Sequence, residues 1–144
     1  MSVMDAGCLG NVKVGDRLLA SWCQQWRSWM LEKEHTFDPG HRVDHLDRVF
    51  RHANLLCQEE PVDPVIVMPA VWLHDCVPVA KNSERRNQAS MMSAKVAGRY
   101  LLESGYPEQY AQSIQHCIES HSFSAPVTPK TLEASVVQDA DRLD

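Results

Sequence analysis

Nine residues from Val65 to Leu73, Val-Ile-Val-Met-Pro-Ala-Val-Trp-Leu, carry no polar side chain, and His74 and Asp75 follow at once. A segment that is apolar on every side must be covered on every side, so the rest of the chain has to wrap around it. Its β-branched residues suit a buried strand or a buried helix, and periodicity does not separate the two. Pro69 would interrupt a central strand and no neighbouring segment alternates polar with apolar residues, so the expectation is a helix that kinks at Pro69 or begins there. Two ionisable side chains at the end of such a segment are costly unless other groups or a metal ion meet them.

The flanking sequence supplies further helices. Leu18, Trp22, Trp26, Trp29 and Met30 recur at three- and four-residue steps, which predicts one helix face beginning near Asp16. Phe37-Asp38-Pro39-Gly40 breaks that pattern, and a second helix is expected from Val43 to about Glu60 with Val49, Ala53, Leu56 and Cys57 inward. After a loop around Pro78 to Asn82, a long helix is expected from Ser83-Glu84 to Ser104, with Ala89, Met92, Val96 and Leu101 inward and Gly105 as its stop. Pro107 to about His121 forms another, Ser122 to Pro129 reads as loop, and Thr131 caps a last helix through Leu143. The fold class is therefore all-α, a bundle of about six helices with few or no strands. Residues 1–15 hold three of the six glycines and read as a flexible lead-in, leaving 16–144 as one domain, a fair size for a single core.

Charge and cysteine usage narrow the function. A net charge of -5 gives no electrostatic case for polymeric nucleic acid or anionic membranes as partners. No run approaches the roughly 20 apolar residues of a membrane span, and Met1-Ser2-Val3-Met4-Asp5 lacks the basic start and apolar centre of a secretion signal, so a cytoplasmic location is expected. The five cysteines are scattered and contain no C-x-x-C pair, which favours small buried side chains over a zinc ribbon or redox motif.

The remaining signal is histidine and aspartate. His41 and His45 open the second helix, where a four-residue step puts them on one face; His116 and His121 end the fifth; Asp139 and Asp141 lie near the C-terminus. Five residues turn a helix by roughly 140° beyond a full turn, so His116 and His121 share a site only if His121 lies at or past the helix end. Asp139 and Asp141 diverge by about 200°, so a regular helix aims only one of them inward. Imidazole and carboxylate together suit divalent Mn, Fe, Ni, Co, Zn or Mg. Solvated charges at helix ends would give the same spacing.

The ordered set His45, His74-Asp75 and Asp141, in the contexts Asp44-His45-Leu46-Asp47-Arg48-Val49, Leu73-His74-Asp75 and Gln138-Asp139-Ala140-Asp141-Arg142-Leu143, resembles the HD-domain superfamily of metal-dependent phosphohydrolases. Val79-Ala80-Lys81-Asn82 after Asp75, and His116 with His121-Ser122-Phe123-Ser124 before the acidic motif, are similar to the small stand-alone bacterial HD hydrolases of the YedJ-like kind. The resemblance implies a helical bundle holding a divalent metal ion through His45, His74, Asp75 and Asp141. Asp141 is favoured over Asp139 because the family places Ala-Asp before a basic residue and Leu. His41, His116 and Asp139 are then alternative ligands or groups that orient the ligands.

The implied activity is hydrolysis of a nucleotide or other small phosphorylated molecule by a metal-activated water, with Asp75 or a nearby histidine taking the proton. His121 is the histidine expected to face the site, as proton shuttle or substrate contact. Lys81, Arg85 and Arg86 follow the His-Asp pair closely enough to bind phosphate, with a solvated helix start as the alternative; Arg48 binds phosphate or pairs with an aspartate. Two other activities stay open. One is a catalytically silent domain that binds metal or nucleotide, because the family continues past Asp-Ala-Asp with a glycine-containing segment and more helices; the other is a dinuclear iron oxygenase using His116 and His121. A monomer or homodimer is expected.

Overall fold

The computed structural model describes residues 11–34, 42–77, 88–122 and 126–144. Order begins earlier than the sequence predicts. Lys13–Val14 (β1) and Arg17–Leu18 (β2) form a two-residue antiparallel hairpin, turned at Gly15, whose φ of 65° suits a residue without a Cβ. The first helix, α1, therefore spans Leu19–Glu34 and does not start near Asp16. Leu18 is 43% exposed on the hairpin, while Trp22, Trp26 and Met30 are buried as their spacing predicts.

Helices α2 (Arg42–Glu59) and α3 (Pro64–Leu73) follow. Helix wins over strand for the apolar segment, and it neither begins at Pro69 nor stops there. Asp63 caps its N-terminus by accepting from the Val65 amide at 3.0 Å, and Pro64 occupies the first helical position, where no amide proton is needed. Pro69 cannot donate to the carbonyl four residues back, that of Val65. The Tyr106 hydroxyl donates to that carbonyl, from a ring buried between Trp22 and Trp26. A proline inside a buried helix is thus tolerated because a tyrosine 41 residues away satisfies the orphaned oxygen.

Every residue of α3 from Val67 to Leu73 is buried. It packs against α1, α2, α5 (Ala111–Glu119) and α6 (Leu132–Arg142), and touches α4 (Ala89–Ser104). A bidentate Arg27–Asp47 pair, both bonds 2.9 Å, ties α1 to α2. Gly105 ends α4 in the left-handed conformation and Thr131 caps α6 through the Ala134 amide, as expected. A short 3-10 turn, Glu108–Tyr110, leads into α5, which ends at Glu119 and leaves His121 beyond it.

The inner face of α4 departs from expectation. Val96 is 37% exposed, and Ser90, Ser93, Ala94, Ala97, Gly98 and Leu101 face the core. The described cysteines, Cys23, Cys57, Cys76 and Cys117, are buried. The result is a six-helix, all-α bundle among the described residues, and no described helix is long and apolar enough to cross a membrane.

Candidate metal centre

Three helices end at one place. His74 is the residue after α3, Asp141 lies in the last turn of α6, and His121 stands two residues past α5; His45 comes from the first turn of α2. Asp141 Oδ1 is the meeting point, 3.0 Å from His45 Nε2 and 3.3 Å from His74 Nε2. These three ligand atoms lie within 4.8 Å of one another.

The opposite ring nitrogens are all engaged. His74 Nδ1 donates to the Val71 carbonyl at 2.7 Å and His121 Nδ1 to the Ile118 carbonyl at 2.6 Å. A carbonyl only accepts, so the proton stays on Nδ1 and Nε2 is left as the basic nitrogen. His45 Nδ1 bonds Asp144 Oδ2 at 2.6 Å. The His74 ring meets that of His121 edge-on at 4.7 Å and that of His45 at 5.9 Å between centroids.

Burial and charge then separate these groups. His74 is 2% exposed, and burial alone would depress its pKa; the Asp141 charge and hydrogen bond, helped by Asp75 and the Val71 carbonyl, outweigh that and raise it to about 9. Burial and the neighbouring His74 charge push His121 down to about 4. His45 is raised by its hydrogen bond to Asp141, against burial and with help from Asp144. For Asp141, burial acts to raise the pKa, but the His74 charge and the hydrogen bonds from His45 and His74 hold the carboxyl well below the usual range.

The donor set fits a divalent cation. Adjacent ligand atoms on an octahedral ion with bonds of about 2.1 Å lie roughly 3.0 Å apart, and on a tetrahedral one roughly 3.4 Å. The two contacts at Asp141 are of that size, and the two nitrogens involved are those whose partner nitrogens are already tied.

Of the residues the sequence singled out, His45, His74 and Asp141 come together, with His121 against His74. Asp75 stands outside the three-atom group, although its charge acts on both His74 and His121. Asp139 is on the exposed face of α6, as its divergence from Asp141 requires. His116 turns elsewhere: its Nε2 accepts from the Lys130 amide at 3.0 Å, joining α5 to the segment before α6. Arg48 pairs with Asp144 through both carboxylate oxygens. His41, Lys81, Arg85 and Arg86 lie outside the described residues. Asp144 was missed by the sequence reading; its bond to His45 spans 99 residues and leaves no local pattern.

The family model for the HD domain matches residues 42–144, a stretch that contains all four converging side chains. The chain belongs to the HD-domain family. This HD domain is also 29% identical over 125 residues to the uncharacterized protein YpgQ of Bacillus subtilis (strain 168), a match covering 84% of this chain and 58% of that protein. The chain thus spans somewhat over half the length of that relative. No solved structure matches it. The HD family implies metal-dependent phosphohydrolases, and among the described residues His45, His74 and Asp141 form a group that could hold a metal ion.

Proposed function

We propose that this HD domain, with residues 16–144 as its working unit, hydrolyses a phosphate ester of a small phosphorylated molecule, a nucleotide being the leading class. The observation that carries the reading is the convergence of His45 Nε2, His74 Nε2 and Asp141 Oδ1 from three separate helices. A divalent cation held there supplies Lewis acidity towards water and a phosphoryl oxygen.

The chain's own groups supply the rest. His45, His74 and Asp141 hold the ion, and Asp75, next in the chain to His74, is the fourth ligand. His121 is neutral near pH 7 because of its burial, and its Nδ1 is committed to Ile118, so Nε2 is the atom assigned to accept a proton from water and return it to the leaving group. Lys81, Arg85 and Arg86 are assigned to the substrate's phosphate oxygens. Arg48 is left out of that set because its Nε and one of its NH2 groups already donate to Asp144.

The test is phosphate release from a panel of nucleotides and generic phosphate esters, with Mn²⁺ and in parallel with chelator. Chelator-sensitive release that is lost in His74→Ala supports the reading. An unchanged rate in His74→Ala overturns it. Metal-induced thermal stabilisation without turnover of any ester would instead identify a silent binding domain.

A further inference from the structure

We propose that Asp144 is a positioning residue for this centre: it fixes which imidazole nitrogen of His45 faces Asp141, and Arg48 holds it in place. The inference rests on the reading of the His45–His74–Asp141 group as a metal centre, and adds to it an outer layer.

His45 and Arg48 are three residues apart on α2 and so share a face. One carboxylate reaches both: Asp144 Oδ2 is 2.6 Å from His45 Nδ1, while Arg48 Nε donates to Oδ1 and its NH2 group to Oδ2 at 3.2 Å. The two-point Arg48 contact fixes the plane of the carboxylate, and with it the direction of the oxygen that meets His45. An ionised carboxylate has no proton to give, so Nδ1 must carry one. The other tautomer would set a nitrogen lone pair against this anionic oxygen at 2.6 Å, a closer and costlier clash than Nε2 meets at Asp141 Oδ1, which is 3.0 Å away and shared with His74. His45 Nε2 is therefore the nitrogen turned towards Asp141 and left for a metal ion.

Two other ring orientations in the cluster are set by backbone carbonyls, Val71 for His74 and Ile118 for His121. For His45, in the first turn of α2, the Nδ1 partner is instead a side-chain carboxylate, from Asp144 two residues past α6. The Asp144 side chain thus does for His45 what the preceding helix turn does for the other two.

The experiment compares wild type with Asp144→Ala, Asp144→Asn and Arg48→Gln by Zn²⁺ affinity and by the ¹⁵N signature of the His45 tautomer, in metal-free protein at alkaline pH and again with zinc bound. Asp144→Ala is expected to weaken Zn²⁺ binding about 10- to 100-fold and to leave His45 as a mixture of tautomers. Asp144→Asn, whose amide oxygen still accepts, should restore the single tautomer and much of the affinity. Arg48→Gln should fall between wild type and Asp144→Ala. A single Nδ1–H tautomer in Asp144→Ala together with wild-type affinity overturns the proposal. If wild type binds no zinc, the metal-centre reading fails, and the metal-free tautomer still decides the role of Asp144. Should Asp144→Ala not fold, loss of the single tautomer in Arg48→Gln supports the proposal and its retention opposes it.

Discussion

The imidazoles of His74 and His121 meet edge to face with centroids 4.7 Å apart, yet they take up protons at opposite ends of the histidine range. Asp141 bonds His74 and holds its pKa near 9, whereas His121, bonded to the Ile118 carbonyl, falls to about 4 under burial and the His74 charge. Two side chains of one type are thereby set to different tasks at neutral pH.

Stability of the metal-free protein should peak near pH 6.5. Raising His74 above its unfolded value of about 6.5 gives stability that is complete below that pH and lost as pH climbs through 9. Depressing His121 does the reverse, because the unfolded chain binds the proton more readily between pH 6.5 and 4. Each slope is at most about 1.4 kcal/mol per pH unit. Chemical denaturation of chelator-treated protein from pH 4 to 10 measures both, and a flat profile contradicts the assignment.

Metal affinity should rise with pH across the same upper range. A cation at His74 Nε2 must displace the proton that Asp141 helps to hold, so apparent affinity is expected to gain about tenfold per pH unit below pH 9 for each proton displaced. Calorimetric Zn²⁺ titration in buffers of different ionisation enthalpy counts those protons directly. Binding that releases none would place the metal elsewhere.

Asp141→Asn removes the atom shared by both histidines. Zn²⁺ binding should fall by more than about 100-fold, well beyond the loss for an outer residue. In the metal-free protein the His74 midpoint should drop by at least about one unit, since burial then meets weaker opposition. NMR titration of the His74 ring reads the second effect without any metal present.

The pairing of Tyr106 with the Val65 carbonyl predicts a rescue. Tyr106→Phe leaves that buried oxygen without its donor and should cost about 1 to 3 kcal/mol. Pro69→Ala restores an amide proton four residues along the helix, so the double variant should recover part of the loss. Urea midpoints of the four proteins form the cycle, and strictly additive losses would refute the pairing.

Local chemistry made most of the bundle readable. Trp22, Trp26 and Met30 repeat at helical spacing, Thr131 and Gly105 are strong start and stop residues respectively, and an apolar run as long as Val65–Leu73 has to lie at the centre. The α4 face was misread because hydrophobicity is not what selects it. Its core-facing residues are small, Ser90, Ser93, Ala94, Ala97 and Gly98 beside Leu101, with the Gln115 side chain of α5 lying over Gly98, while the larger Val96 faces outward. Leu18 was assigned to α1 because its spacing matched; the two-residue hairpin formed around Gly15 shows no strand alternation to betray it. At the site, His45, His74 and Asp141 were legible from order and context. The Asp144–His45 and His116–Lys130 contacts were not, since each depends on how helix ends meet in space.

The convergence of three helix C-termini on one cluster has an electrical consequence. Each end carries a partial negative charge from carbonyls that no later turn satisfies, and the ends of α3, α5 and α6 all lie at the His74–Asp141–His121 corner. That corner favours positive charge of any kind. Without metal, the proton that Asp141 helps to hold on His74 provides it; with metal, the ion takes its place. Loading the centre is therefore an exchange of one cation for another within a frame of fixed dipoles, and a phosphate group is repelled from that frame whenever neither cation is present.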